Sequence, residues 1–358
     1  MTTVARSQAA DPSTEAEDPA PAPVPTGHDV PRAVSVLVFM RDRGIFVLWA
    51  LLVLVFSFWC APYFFTVDNA LLVANAAALT AIFAAGVGIG IMTGVLDLSL
   101  PGTAAIASCV CGYLLTQGQP VWVGLAAGLV CGAVVGVVNG IITIRGFNPI
   151  IVTIGTLTVL SGLAAVVAGG YTFPGLTQLR FMGTDRYLGV PAPVFVVAVV
   201  FVVATVFLTR TRDGIRLMAV GGNAEAVRRA GIRSDLYKVI GFVISGLLAA
   251  LGGLVSTAVV TEASPAASPS IIFSALTAVA LAGVALTGGR GSMPRILVGA
   301  LILATISNGL TIRGVQPYWA TVVTGALLIG SLLFERVLQN AVSERLMAAN
   351  VSVHAKKV

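Results

Sequence analysis

Long stretches without a charged residue alternate with short polar punctuation along most of this chain. Uncharged apolar windows fall at about 45–61, 70–92, 98–115, 121–144, 147–168, 190–209, 239–260, 271–287, 296–312 and 318–334. A helix needs about 20 mostly apolar residues to cross ~30 Å of hydrocarbon. The pattern therefore predicts an all-α integral membrane protein with about ten transmembrane helices. Windows beside Pro101 and Pro149 are places where a span can break or re-enter, so nine or eleven crossings also fit the pattern. Residues 1–40, rich in Pro, Ala, Asp and Glu up to about 35, read as a disordered cytoplasmic tail. Residues 41–340 read as the membrane domain, with a polar loop at 210–238, and 341–358 as a second cytoplasmic tail. No apolar core follows a basic start, so the first window is an anchor rather than a cleavable signal.

Composition narrows the class. The chain is 57% apolar and only 10% charged, against roughly 25% charge in soluble domains, which leaves little room for a soluble globular enzyme. Its net charge of +6 bears on membrane orientation rather than on nucleic acid. With ten spans, 18 of the 21 Lys and Arg residues fall on one side, and only Arg180, Arg186 and Arg313 on the other. Positive charge collects on the cytoplasmic side of membrane proteins, so both termini are expected there. Cys60, Cys109, Cys111 and Cys131 lie in apolar runs, and His28 and His354 in the tails. Neither a zinc site nor a disulfide framework is expected from that arrangement.

One stretch resembles another 168 positions later. Asn139-Gly140, Thr143-Ile144-Arg145-Gly146, Asn148-Pro149, Thr153 and Thr156 are matched by Asn308-Gly309, Thr311-Ile312-Arg313-Gly314, Gln316-Pro317, Thr321 and Thr324. The Asn-Gly pair alone slips by one residue. Five spans separate the copies, so the second is expected to be inverted. Inverted repeats build a pathway at their interface in many transporters.

Few residues are equipped for chemistry. A Walker-type loop needs Gly-x-x-x-x-Gly-Lys-[Ser/Thr], and the three lysines, Lys238, Lys356 and Lys357, lack that context. Gly288-Gly289-Arg290-Gly291-Ser292 reads as a tight cytoplasmic turn in preference to a phosphate cradle. Asp97 stands between two apolar windows, where a carboxylate is costly. It either holds two helices in register through backbone amides or an arginine, or caps the next helix near the boundary. Ser99, Asn139, Asn148, Thr153 and Asn308 join Asp97 as candidates for lining a pathway or breaking a helix. Glu262 reads as a solvated loop residue. Trp49, Trp59, Trp122 and Trp319 lie near window ends, as interface anchors do.

The loop at 210–238 is the most informative segment. Asn223 is a good N-cap and Gly231 a good stop. Glu225 lies in the first turn and Arg228 and Arg229 in the last, complementing the helix dipole. Glu225 and Arg229 are also spaced i,i+4. A helix of about seven residues follows, too short to be stable alone in water. Ala226 and Ala230 offer a face for close approach by a partner.

With these residues in view, the loop resembles the Glu-Ala-Ala-x-x-x-Gly signature of ATP-binding-cassette importer permeases, written here as Glu225-Ala226-Val227 with Gly231. It is closer still to the ribose/monosaccharide-type permeases, through Ala219, Gly221-Gly222-Asn223 and Ala226. Gly94-Val95-Leu96-Asp97-Leu98-Ser99, the Asn139–Thr156 stretch and Gly288–Ser292 match further segments of that family in order, covering roughly 70–335. Val227 departs from the family alanine, as does Leu281-Ala282-Gly283-Val284 from its usual Ile-Gly-Gly. The resemblance implies a type II importer-like permease that pairs with a second copy or paralogue. It implies a cytoplasmic ATPase holding ATP and Mg and docking on 221–231, an extracytoplasmic sugar-binding protein, and no cofactor on this chain. A bacterial cytoplasmic membrane is the implied location. A different class stays open, a self-sufficient proton-coupled transporter using Asp97 or Glu262. A membrane enzyme is disfavoured, because Asp97 has no partner acid or base.

Overall fold

The computed structural model describes residues 32–285 and 287–355. Most of the expected N-terminal tail, residues 1–31, lies outside them, as do Lys356 and Lys357. The described chain is almost wholly helical: α1 (Arg32–Trp59), α2 (Val67–Met92), α3 (Leu100–Thr116), α4 (Val121–Ile144), α5 (Pro149–Ala168), α6 (Arg180–Gly183), α7 (Ala192–Arg210), α8 (Arg212–Arg229), α9 (Ser234–Val260), α10 (Ser270–Leu281), α11 (Met293–Ile312) and α12 (Pro317–Ala355). Its one sheet is a two-residue hairpin, Arg186–Tyr187 against Val190–Pro191.

An apolar helix occupies each of the ten windows. Seven are long and apolar enough to cross a membrane unaided, and three are shorter: Arg43–Trp59 within α1, α3 and α10. The window at 271–287 was expected to span, yet α10 has 12 residues, about 18 Å of helix. The chain instead leaves the helix at Gly283 and turns again just past the window at Gly288 and Gly289, all at positive φ, where glycine is the residue that avoids strain. Two expected boundaries also shift. Helix α1 opens inside the stretch read as a disordered tail, and α12 continues past 340 to Ala355. The loop at 210–238 is largely helical as well. Thr211 caps α8 by accepting from Gly214 N–H at 3.0 Å, and Leu217 and Val220 are buried three apart on one face. That packing, rather than propensity, makes the segment helical.

The repeat extends over eight helices. Pro149 opens α5 and Pro317 opens α12, 168 positions later, while Ile144 and Ile312 close α4 and α11 at the same separation. Gly146 and Gly314, both at positive φ, turn the chain after each. Packing follows suit: α4 lies along α9 as α11 lies along α2, and α3 meets α5 as α10 meets α12. Directions can be read from neighbours. Gly86 lies beside Ser245 and Leu248, and Gly241 beside Thr93, so α2 and α9 are antiparallel. Gly132 meets Gly246 and Gly140 meets Val239, so α4 opposes α9. Gly88 meets Ile296 and Asn69 bonds Asn308, so α11 opposes α2. Helices α4 and α11 therefore run in opposite directions, and the repeat is inverted.

The seam of α4 shows what holds such helices together. Gly124, Gly128, Gly132, Gly136 and Gly140 recur every fourth residue and lie against α3 and α9. Small residues at this spacing let membrane helices approach closely enough for backbone contact. On the far side from α8, the 169–191 connection folds over the end of α9. Phe173 and Ala263 exchange backbone bonds of 2.9 and 3.0 Å, and Leu176 N–H donates to Thr261 at 2.9 Å. Outward faces of α5 and α7 expose apolar side chains such as Ile151, Val166 and Val199, as lipid contact requires.

A β-carbon at Gly132 would overlap the Gly246 carbonyl, whereas Gly155 has nothing within 4 Å. Gly132→Ala should cost about 1–3 kcal/mol as overpacking. Gly155→Ala should leave the thermal unfolding midpoint in detergent unchanged or slightly raised.

Candidate functional site

Three glycine-containing segments, far apart in sequence, meet at the end of α2. Helix α2 stops at Met92, and Gly94 at φ 81° turns the chain while Val95 N–H reaches back to Gly90 O at 2.9 Å. The Met92 carbonyl, freed by the end of the helix, accepts from Gly289 N–H at 3.0 Å. Gly221 of α8 packs into the same corner. A side chain there would run into the Met92 carbonyl, one at Gly288 into the Gly221 carbonyl, and one at Gly289 into Gly222. Gly291 lies against the Met92 side chain, and Arg290 is exposed while its carbonyl accepts from Ala285 N–H at 3.2 Å. Ser292 then precedes α11 in extended backbone. Three of the four family-like segments thus form one backbone-to-backbone joint.

Helix α8 is bent at Asn223, whose φ of −159° and ψ of 91° are not helical. The Asn223 side chain accepts from Ala226 N–H at 2.9 Å and starts a second short helix. Glu225 pairs with both Arg228 and Arg229. Gly231 at φ 80° ends it, donating to Arg228 O while Ile232 N–H donates to Val227 O. Ala224, Val227 and Ile232 face the membrane domain, whereas Asn223, Glu225, Ala226, Arg229 and Ala230 are exposed. The first half of α8 is tied to α9 by Tyr237, which donates to Asp213 at 2.8 Å and accepts from Arg216 at 3.2 Å.

Deeper in, the chain between α2 and α3 carries a buried polar knot. Asp97 Oδ1 accepts from Ser99 N–H at 2.9 Å and Ser99 Oγ at 2.6 Å, and Oδ2 accepts from Ser245 Oγ at 2.9 Å. Ser99 Oγ accepts from Asn139 Nδ2 at 3.0 Å, and Asn139 Oδ1 from Thr156 Oγ1 at 2.6 Å. Asp97 is 2% exposed, and Ser99, Asn139 and Ser245 are fully enclosed. Ser245 lies 11 residues into α9, about 16 Å along its axis, so Asp97 sits at depth and not at a boundary. Its partners are hydroxyls and one amide, none an arginine, and it joins helices.

The other singled-out residues disperse. Asn148 is the exposed N-cap of α5, accepting from Ile150 N–H at 2.9 Å. Thr153 is buried but bonds to carbonyls of its own helix. Asn308 donates to Asn69 at 2.9 Å at the opposite end of α2, and Glu262 is exposed in the far loop. Ser245, Asn69 and Tyr237 escaped the reading of the sequence. Ser245 had a signal, being a hydroxyl inside an apolar window beside a glycine.

An inverted repeat of membrane helices, broken at depth and joined to a capped surface helix, defines a multi-pass transport permease. The chain belongs to the family described as branched-chain amino acid transport system / permease component, whose model matches residues 69–332. It is 33% identical to the ribose import permease of Bacillus subtilis (strain 168), over 83% of this chain and 93% of that relative. It is 31% identical to the L-arabinose transport system permease of Escherichia coli (strain K12), over 83% and 91%. The D-allose transport system permease of the same strain is 29% identical, over 84% and 93%.

Neighbouring glycines make a matched test of the joint. Gly221→Ala should displace the Gly289–Met92 bond and expose α8, read as faster proteolysis after Arg228 and Arg229. Gly222→Ala, whose β-carbon meets only Gly289 Cα at 3.8 Å, should cleave at the parent rate.

Proposed function

We propose that the chain is the membrane-spanning permease subunit of an ATP-driven importer for a monosaccharide. The observation that carries this reading is the exposed Asn223–Gly231 helix, which follows directly on Gly221, a residue packed backbone-to-backbone against a helix broken inside the membrane domain. A surface helix fixed in that way can pass a partner's displacement to the pathway without loss in side-chain rearrangement. The relatives named above, permeases for ribose, arabinose and allose, support the solute class.

In this reading a separate cytoplasmic ATPase grips the exposed Gly222, Asn223, Glu225, Ala226, Arg229 and Gly231, while Gly221, expected among them, lies inside the joint and passes their displacement inward. ATP and Mg are held by that subunit, and this chain binds no cofactor. An extracytoplasmic binding protein delivers the sugar, and a second copy or paralogue completes the pathway in a bacterial cytoplasmic membrane. The Lys and Arg distribution supports cytoplasmic termini, with α8 on the same side. Any coupling requires contacts that differ between inward- and outward-open states. Binding too tightly in the pathway would prevent release, which leaves sugar choice mainly to the delivery protein. The proton-coupled alternative has less support: Glu262 is exposed, and the Asp97 oxygens already engage three donors.

Purification from native membranes in mild detergent should recover an ATPase at stoichiometric level. Glu225→Ala combined with Gly231→Pro should abolish its association. Partner-free protein that moves solute into liposomes without ATP would overturn the reading.

A further inference from the structure

We infer that the knot Ser245–Asp97–Ser99–Asn139–Thr156 is a clamp that makes the broken helix, α4 and α5 move as one body with α9, and that only one of the two repeats has it. The inference rests on the transport reading and deepens it. Five side chains from α9, the α2–α3 connection, α4 and α5 form a continuous chain of hydrogen bonds of 2.6 to 3.0 Å. Lipid and packed apolar side chains offer no substitute partner, so separating any pair leaves a buried polar group unpaired. The same α9 carries Tyr237, tied to α8, and Gly241, pressed on Thr93 beside the glycine joint. A displacement of α8 therefore has a route through α9 into the clamp.

The inverted counterpart is stripped of it. At the 168-residue offset Asp97 corresponds to Pro265, Ser99 to Ala267 and Ser245 to Ala77. With the one-residue slip of the Asn-Gly pair, Asp97 corresponds to Ala266 and Ser99 to Ser268, which is exposed and bonds Ser270. Thr156 corresponds to Thr324, which bonds to Ala320 O of its own helix. Asn308, the counterpart of Asn139 under that slip, turns to Asn69. The break after α9 is closed by backbone pairing with the 169–191 connection. The two ends of the molecule thus differ mechanically: a stiff end beside α8 with a five-residue polar chain, and a far end held by loop backbone, apolar contact and short polar pairs such as Asn308–Asn69 and Trp49–Thr305. Access at the far end can change by moving the connection, while the α8 end moves as a unit.

The test uses the intact complex with its ATPase in liposomes. It reads accumulation per ATP hydrolysed with radiolabelled ribose, arabinose or allose, whichever the wild type accumulates. Ser245→Ala and the isosteric Thr156→Val should continue to hydrolyse ATP while the ratio falls about tenfold, the scale of one buried polar group left without its partner. Asp97→Asn keeps an acceptor for Ser99 and supplies a donor for Ser245, so it should recover most of the ratio that Asp97→Ala loses. An unchanged ratio in Ser245→Ala and Thr156→Val would overturn the clamp. So would a parallel fall of hydrolysis, uptake and unfolding midpoint, which marks simple support of the fold. Loss of uptake in Asp97→Asn would also overturn it, because charge would then be the requirement. Uptake by the wild type without ATP overturns the importer reading itself, and the clamp's role with it; that result is read before any variant is made.

Discussion

Between Thr93 and Ser99 the chain leaves the helical ladder inside the bundle, where freed peptide groups have no water to bond. The surrounding structure is arranged around that break. Gly289 supplies a donor to the Met92 carbonyl, Gly90 takes the Val95 N–H, and the Asp97 side chain takes the Ser99 N–H. Gly289 can reach the Met92 carbonyl only because side chains are missing around it, at Gly221 and Gly288. The joint with α8 is therefore part of how the break is tolerated, and the surface helix and the buried discontinuity belong to one arrangement.

Pairing by bare backbone recurs through the membrane domain. The glycine row of α4 brings it against α9, and Gly299 brings α11 against α10 in a similar way. In hydrocarbon there is no hydrophobic drive between helices, so close van der Waals contact has to hold them. Such seams are unforgiving of added volume. They also suit rigid bodies that shift against one another, since smooth backbone contacts involve few interlocked rotamers.

Much of this was legible along the chain. Uncharged windows located ten helices, and the Asn223 cap, the Glu225 pairs and the Gly231 stop were readable because they depend on residues three to eight apart. The TIRG-to-Pro repeat was visible because both copies use the same turn glycine and helix-opening proline. The five-glycine row of α4 was equally visible as a period of four, though not recognised as a seam. By contrast, the first half of α8, with Gly214, Gly221 and Gly222, reads as loop. Its helicity comes from burying Leu217 and Val220.

By itself the sequence determined what local rules govern: an apolar, all-helical membrane chain, its windows, its caps and the offset of its repeat. Tertiary structure decided which distant residues meet. Asp97 and Ser245 are 148 positions apart, and Met92 and Gly289 nearly 200; nothing in their neighbourhoods specifies the pairing. The antiparallel packing of α2 on α9 brings the first pair together and the packing of α10 and α11 on α2 the second, and the first also shows that Asp97 is a buried connector of helices rather than a boundary cap. Hydrogen bonding acts over 3 Å in space and is indifferent to separation in sequence.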